Sequence, residues 1–380
     1  MPVIAAGTVV LGDRVCRPGW LSVTDGRIAD CGAGPPPVAP DVDLGAAVVV
    51  PGFVDIHVHG GAGGGYADSP ADIDRAATLH ARHGTTGGLA SLVTAAPKAL
   101  LAQVRTLADA TRRGVVDGIH LEGPWLSRVH CGAHDRAWLR APDAAEVDAL
   151  LAAGDGTIRM VTLAPELPGA LATIRRLVEA GIVVAVGHTD ADYDQTRAAV
   201  DAGATVATHL FNAMRALHHR DPGPVPALLS DPRVTVEAIA DGVHLHEGTI
   251  RHIVATAGPQ RVALVTDAMA AAGVGDGVFT LGGLDVDVVD GVARLRGTTT
   301  IAGSTATMDR LFATAVRLLG EQVDADTALA AAARMTATTP ARTLGLHRTG
   351  TLAAGRDADL VALDRDWRVS RVMRRGAWVG

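Results

Sequence analysis

The chain has 380 residues, 48% of them apolar, enough to bury a large core and too hydrophobic for an intrinsically disordered segment. Its 34 Lys and Arg against 41 Asp and Glu, with no run of like charge, exclude a nucleic-acid or anionic-membrane surface as the organising feature. No stretch reaches 18 apolar residues, the start MPVIAAGTVVLGDRV lacks a secretion signal, and Cys16, Cys31 and Cys131 show no paired spacing, so the reading is a soluble, cytoplasmic protein without disulfides or membrane partners.

In chain order, residues 1–50 alternate as VIAAGTVVLGDRV and GWLSVTDGRIADCG around the turn Asp25-Gly26, and GAGPPPVAP at 32–40 connects onward. From Val48 to Leu346, β-branched runs alternate with Ala/Leu/Arg-rich helical stretches. Strands are expected near 48–55, 88–93, 116–121, 159–163, 182–186, 204–208, 234–239 and 262–266. Helix starts are expected after Asp72 and at Pro97. VFTLGGLDVDVVDGVARLRG reads as a β insert near 276–300, and residues 347–380 return to short strands. The fold class is α/β: a (β/α)8 TIM-like barrel over 51–346 and a small β-sandwich domain built from both termini, 1–50 with 347–380.

In such a barrel, side chains just past the strands converge on one face. There lie His57 and His59 in DIHVH, Glu122 in HLEGPW, His188 in GHTDA, His209 in THLFNAM and Asp267 in LVTDAM. Alternation along an extended chain points His57 and His59 the same way. Any one piece has a bland explanation, since an isolated His-x-His is usually a surface pair and a lone Glu a helix cap. Four histidines and two carboxylates at five strand ends have no shared structural reason to be there. Imidazole nitrogen and carboxylate oxygen suit a divalent ion, Zn before Fe or Mn. Such an ion lowers the pKa of water toward about 7 and polarises an amide carbonyl. Asp267 is placed to accept the water's proton and return it to the leaving nitrogen.

These segments, with PGFVDIHVHG, TLAPE, ADGVH, AGS and TLAAGRDADLVAL, make the chain resemble the amidohydrolase superfamily over essentially its whole length, and within it the N-acetylglucosamine-6-phosphate deacetylase family. The resemblance implies hydrolysis of N-acetyl-D-glucosamine 6-phosphate to the free amine and acetate. It implies Glu122, His188 and His209 as ligands of one ion, and His57 and His59 as ligands of a second that Glu122 bridges. Asp267 becomes the general base and acid, and His134 polarises the acetyl carbonyl. Asn212, Ala213, His244 and Arg220 hold the sugar phosphate, Ala133 contacts the sugar through main chain, and Ile301-Ala302-Gly303 close over the ring. In the family that arginine reaches the neighbouring subunit's site, which implies a homodimer. Many superfamily members bridge two ions with a carbamylated lysine, but the single lysine here, Lys98, lies in a helical stretch after strand 2. Cys131 departs from the pattern, standing where a basic or polar residue is expected.

The competing readings are the galactosamine epimer's deacetylase, a cyclic-amide hydrolase and a non-catalytic barrel. The cyclic-amide enzyme would normally carry the bridging lysine, and a scaffold usually loses ligand positions. Gly60–Gly65 reads as a flexible loop, matching neither a dinucleotide nor a Walker motif. His80, His83, His218, His219, His252 and His347 read as solvated or structural.

Overall fold

The computed structural model describes residues 2–380. Eight parallel strands form one sheet in sequence order: Phe53–Asp55, Thr85–Leu92, Gly118–Glu122, Ile158–Leu163, Val183–Val186, Val206–Ala207, Thr235–Ala238 and Val262–Leu264. These strands are almost continuously buried, as strands covered on both faces must be. The outer helices bury one stripe each. Ala170–Glu179, for example, buries Ala170, Thr173, Ile174 and Leu177 at three- and four-residue spacing.

First and last strands share no ladder, yet the sheet closes at their C-terminal ends. Asp267 N–H donates to His57 O at 2.8 Å and His59 N–H to Ala268 O at 2.8 Å. Across the same seam the Asp55 carboxylate accepts from Thr266 N–H at 3.3 Å and Thr266 Oγ1 at 2.5 Å. Burial pushes the Asp55 carboxyl up to about 7, and the Thr266 hydrogen bonds oppose it. The seam therefore fixes His57 and Asp267 relative to each other.

The run at 48–55 is two strands rather than one. Val48–Pro51 pairs antiparallel with Leu360–Leu363 in a terminal sheet, whereas Phe53–Asp55 enters the barrel. Gly52 makes the switch, because a Cβ there would lie 2.1 Å from Thr86 Oγ1. Val48–Pro51, Thr8–Leu11 and Arg14–Cys16 share a six-stranded sheet with the three C-terminal strands. A four-stranded sheet is formed by Val3–Ala6, Gly19–Thr24, Arg27–Ala33 and Val42–Asp43. Ile4, Val9, Leu21, Ile28, Val49 and Leu360 fill a common core.

The insert is a three-stranded antiparallel sheet, Gly277–Leu281, Leu284–Val289 and Val292–Leu295. Its Val286, Val288 and Ala293 pack on Met269, Ala271 and Ala302. That packing sets the insert against the loops that follow the eighth strand.

The first helix, Pro70–Arg82, starts two residues before Asp72. Ser69 is the N-cap and Asp72 closes a capping box with it. Helix Pro97–Arg112 begins at Pro97 as expected. The Gly60–Gly65 run is not a loose loop but a hairpin, Gly60–Gly61 paired with Gly64–Gly65. Its turn residue Ala62 sits at φ +53° and is tied to the segment after Asp267 by Ala62 N–H to Ala272 O. No helix among the described residues is long and apolar enough to cross a membrane.

Candidate active site

Three residues singled out from the sequence leave their strands in the left-handed region: His188 at φ +48°, His209 at +24° and Asp267 at +49°. Non-glycine residues adopt this conformation at a cost of about 1–3 kcal/mol each, and such costs gather at functional sites. Here the abrupt turn lets the ends of the fifth, sixth and eighth strands aim their side chains into the barrel mouth.

Glu122, the last residue of the third strand, is the hub. Its Oε1 lies 2.9 Å from His188 Nε2, 3.0 Å from His209 Nε2 and 3.4 Å from His57 Nε2. Its Oε2 lies 3.2 Å from His59 Nε2 and 3.3 Å from His134 Nε2. Asp267 Oδ1 lies 3.2 Å from His59 Nε2 and 3.5 Å from His57 Nε2. All are buried.

Ring nitrogens also crowd one another, with Nε2 to Nε2 distances of 3.1 Å for His57 and His59 and for His188 and His209. Two N–H groups would repel at that range. Tetrahedral ligands at about 2.0–2.1 Å from a common ion lie roughly 3.3 Å apart, so the donor set fits divalent ions. His57, His59 and Glu122 form one compact group able to hold an ion; Glu122 and His188 face both His134 and His209, whose Nε2 is 3.0 Å from Glu122 Oε1 and 3.1 Å from His188 Nε2.

The surrounding contacts fix which nitrogen faces the hub. His57 Nδ1–H donates to Glu237 Oε2 at 3.0 Å, and His188 Nδ1–H donates to His130 O at 3.1 Å. Each leaves an Nε2 lone pair inward. For His134 the direction reverses. Its Nδ1 accepts from Thr94 N–H at 3.2 Å, so in the neutral ring Nε2 carries the proton.

Glu237 was not singled out from the sequence. It is fully buried on the seventh strand, and its Oε2 also accepts from His209 N–H at 3.1 Å. Its signal was there to read: one charge inside the apolar run VTVEAIA, where burial demands a partner.

The carboxylates dominate the field. Burial disfavours charge on His57 and His59, yet Glu122, Glu237 and Asp267 hold His57 well above its ordinary value, and Asp267 and Glu122 push His59 up to about 9. Burial raises Glu122 and Asp267, but the neighbouring imidazoles outweigh it and keep both well below the usual carboxylate range. A site that holds protons this strongly offers a dication the same attraction once they leave.

Beside the hub lies a cleft of about 360 Å³. Of the residues expected at the substrate, Ala133, His134, Asn212, Ala213, His244, Ile301 and Gly303 line it, together with His59, Glu122, His188, His209 and Asp267. His244 is held by Asp241, Nδ1 to Oδ2 at 2.7 Å. Burial lowers its pKa, but Asp241 outweighs that and raises it.

One expectation changes, and two further residues are placed. Ala302 does not line the cleft: it is fully buried in the apolar cluster under the insert, and its neighbours Ile301 and Gly303 face outward. Arg220 is exposed and outside this chain's own cleft, its guanidinium against His219 Nε2 at 2.8 Å. Cys131 turns inward among Leu126 and Leu139. His80 is structural, buried with Nε2 2.9 Å from Gly60 O.

A parallel barrel with an imidazole and carboxylate hub, able to hold divalent ions, at the C-terminal ends of its strands places the chain among the hydrolases. A sequence profile of the amidohydrolase family matches residues 48–379, and the chain belongs to that family. A mutant N-acetyl-D-glucosamine-6-phosphate deacetylase from Mycobacterium smegmatis, solved in complex with N-acetyl-D-glucosamine-6-phosphate, superposes with a TM-score of 0.98. It is 56% identical, over 100% of this chain and 99% of that one. The human N-acetylglucosamine-6-phosphate deacetylase is 37% identical over 385 residues, 97% of this chain and 90% of the relative. An N-acetylgalactosamine-6-phosphate deacetylase from Escherichia coli O157:H7 is 38% identical over 367 residues, 94% and 95% of the two chains.

Proposed function

We propose that the chain hydrolyses the amide of N-acetyl-D-glucosamine 6-phosphate, giving acetate and D-glucosamine 6-phosphate in amino-sugar metabolism. The observation that carries this is Glu122, with both oxygens engaged by imidazoles and Asp267 beside His59 at 3.2 Å. The gluco epimer is favoured by the 56% identical neighbour, whose complex holds that sugar phosphate.

Glu122, His188 and His209 would hold one divalent ion and His57, His59 and Glu122 a second, with zinc favoured by the nitrogen and oxygen donors. Bound there, the ions would supply Lewis acidity toward water and the acyl oxygen. The chain's own groups do the rest. Asp267, kept ionised, accepts a proton from the attacking water and delivers it to the nitrogen as the C–N bond breaks. His134, with Nδ1 occupied by Thr94 N–H, offers Nε2–H to the acyl oxygen. His244, its charge favoured by Asp241, faces the phosphate with Asn212 and the Ala213 main chain beside it, and Ile301 and Gly303 line the sugar. Arg220 would complete the phosphate site of a neighbouring subunit in a homodimer. Free Cys16, Cys31 and Cys131 fit a cytoplasmic setting.

The test is acetate release from the two N-acetylhexosamine 6-phosphates and their unphosphorylated parents. The gluco 6-phosphate should be preferred. Arg220→Ala should raise its KM by about 10- to 150-fold, the loss of one charge-assisted hydrogen bond, and leave the unphosphorylated sugar nearly unchanged. Equal effects on both would remove Arg220 from the phosphate site, and preference for the galacto epimer would overturn the substrate assignment.

Glu237 should act through His57. Glu237→Gln can still accept the Nδ1–H but loses the charge that strengthens it. Divalent-ion affinity at the His57 and His59 site, read by competition with a chelating dye, should fall by about 10- to 100-fold. Unchanged affinity would make Glu237 a packing residue only.

A further inference from the structure

A second cavity, of about 290 Å³, adjoins the hub. It shares His59, Val93 and Leu281 with the substrate cleft. The phosphate groups, Asn212, Ala213 and His244, follow the sixth and seventh strands. The second cavity instead lies over the first and second strands, walled by the segment after Gly65 and by Ala95, Ala96 and Ala99 at the start of helix Pro97–Arg112. A substrate with its phosphate near His244 and its amide over Glu122 has its sugar on one side of the hub. The acyl substituent then leaves the carbonyl on the other, past His59 and Val93. Acetyl needs none of this space.

Resting on the deacetylase reading, we infer that this cavity is an acyl chamber and that the enzyme also hydrolyses longer N-acyl amino-sugar 6-phosphates. The balance is that of any amide: water adds to the acyl carbon, the C–N bond breaks, one proton passes to nitrogen, and a longer carboxylate leaves in place of acetate. Gly65, Ala67, Ala95, Ala96 and Ala99 leave the room, with Ser91, Gln103 and Trp138 also in the wall beyond the shared His59, Val93 and Leu281. In a pocket fitted closely to acetyl, each added methylene would cost roughly 10-fold or more; the chamber removes that penalty.

The experiment measures kcat/KM for the N-acetyl, N-propionyl and N-butyryl amides of glucosamine 6-phosphate by appearance of the free amine. The N-butyryl amide should stay within about 10-fold of the N-acetyl amide. Ala99, on the exposed side of its helix, tolerates leucine without cost to helix formation. Ala99→Leu should cut N-butyryl turnover at least about 10-fold while leaving N-acetyl turnover intact, which also reports that the variant is folded. Ala99→Ser, similar in volume, should leave both unchanged. N-acetyl turnover with the N-butyryl amide down by roughly 100-fold or more, the cost of two unaccommodated methylenes, or N-butyryl turnover untouched by Ala99→Leu, would overturn the chamber and spare the deacetylase reading. Failure to hydrolyse any of the three would overturn both.

Discussion

Asp267→Asn is expected to lower kcat by at least about 10³, because one side chain serves two proton transfers, each typically contributing 10²- to 10⁴-fold. Asparagine keeps the size of the side chain and the left-handed backbone at φ +49°, which it tolerates better than most residues. The seam bonds Asp267 N–H to His57 O and Ser304 N–H to Asp267 O are main-chain and should survive. KM should change little, since Asn212, Ala213 and His244 lie elsewhere in the cleft. Kinetics, ligand binding and metal content are to be measured on the same preparation. Full metal content with near-wild-type kcat would remove Asp267 from the proton path, and metal lost in step with activity would make it chiefly a ligand.

Glu122→Gln should be as severe for a different reason. Each Glu122 oxygen faces imidazoles from separate strands, so one neutral amide removes the negative charge shared by both ion sites. The buried histidines would then meet a neutral amide, one end of it an N–H donor, in place of the carboxylate that compensates their buried charge. Both ions should be lost and kcat should fall by more than about 10³. Retention of two ions would show that Glu122 is not the bridge. In the unsubstituted chain, protons compete for the same nitrogens. With His59 raised to about 9 by Asp267 and Glu122 against burial, metal affinity should climb as pH rises toward that value and weaken below it, as the imidazoles must lose protons to bind.

Much of this was legible in the sequence because the barrel repeats one rule. Each apolar run is followed by a polar group at the mouth, so His57, His59, Glu122, His188, His209 and Asp267 could be placed by counting past strands. What escaped depends on three-dimensional closure. The break at Gly52 was announced by Pro51-Gly52, but apolar residues on both sides of it in VVVPGFVD let the run read as one strand. Glu237 was passed over because it sits within a strand rather than after one. Ala302 was grouped with Ile301 and Gly303, but adjacent residues on an extended segment face opposite ways, and the insert covers one side. Arg220 lies on an exposed segment outside this chain's cleft, so only a second chain would bring it to a phosphate.

The most direct test of the account is acetate release from N-acetyl-D-glucosamine 6-phosphate during reconstitution of metal-stripped protein, with bound ion measured at every point. Turnover should be negligible without metal and should rise to a plateau at two equivalents per chain in the wild type, with no rise in Glu122→Gln. Full turnover by the metal-free protein would contradict it.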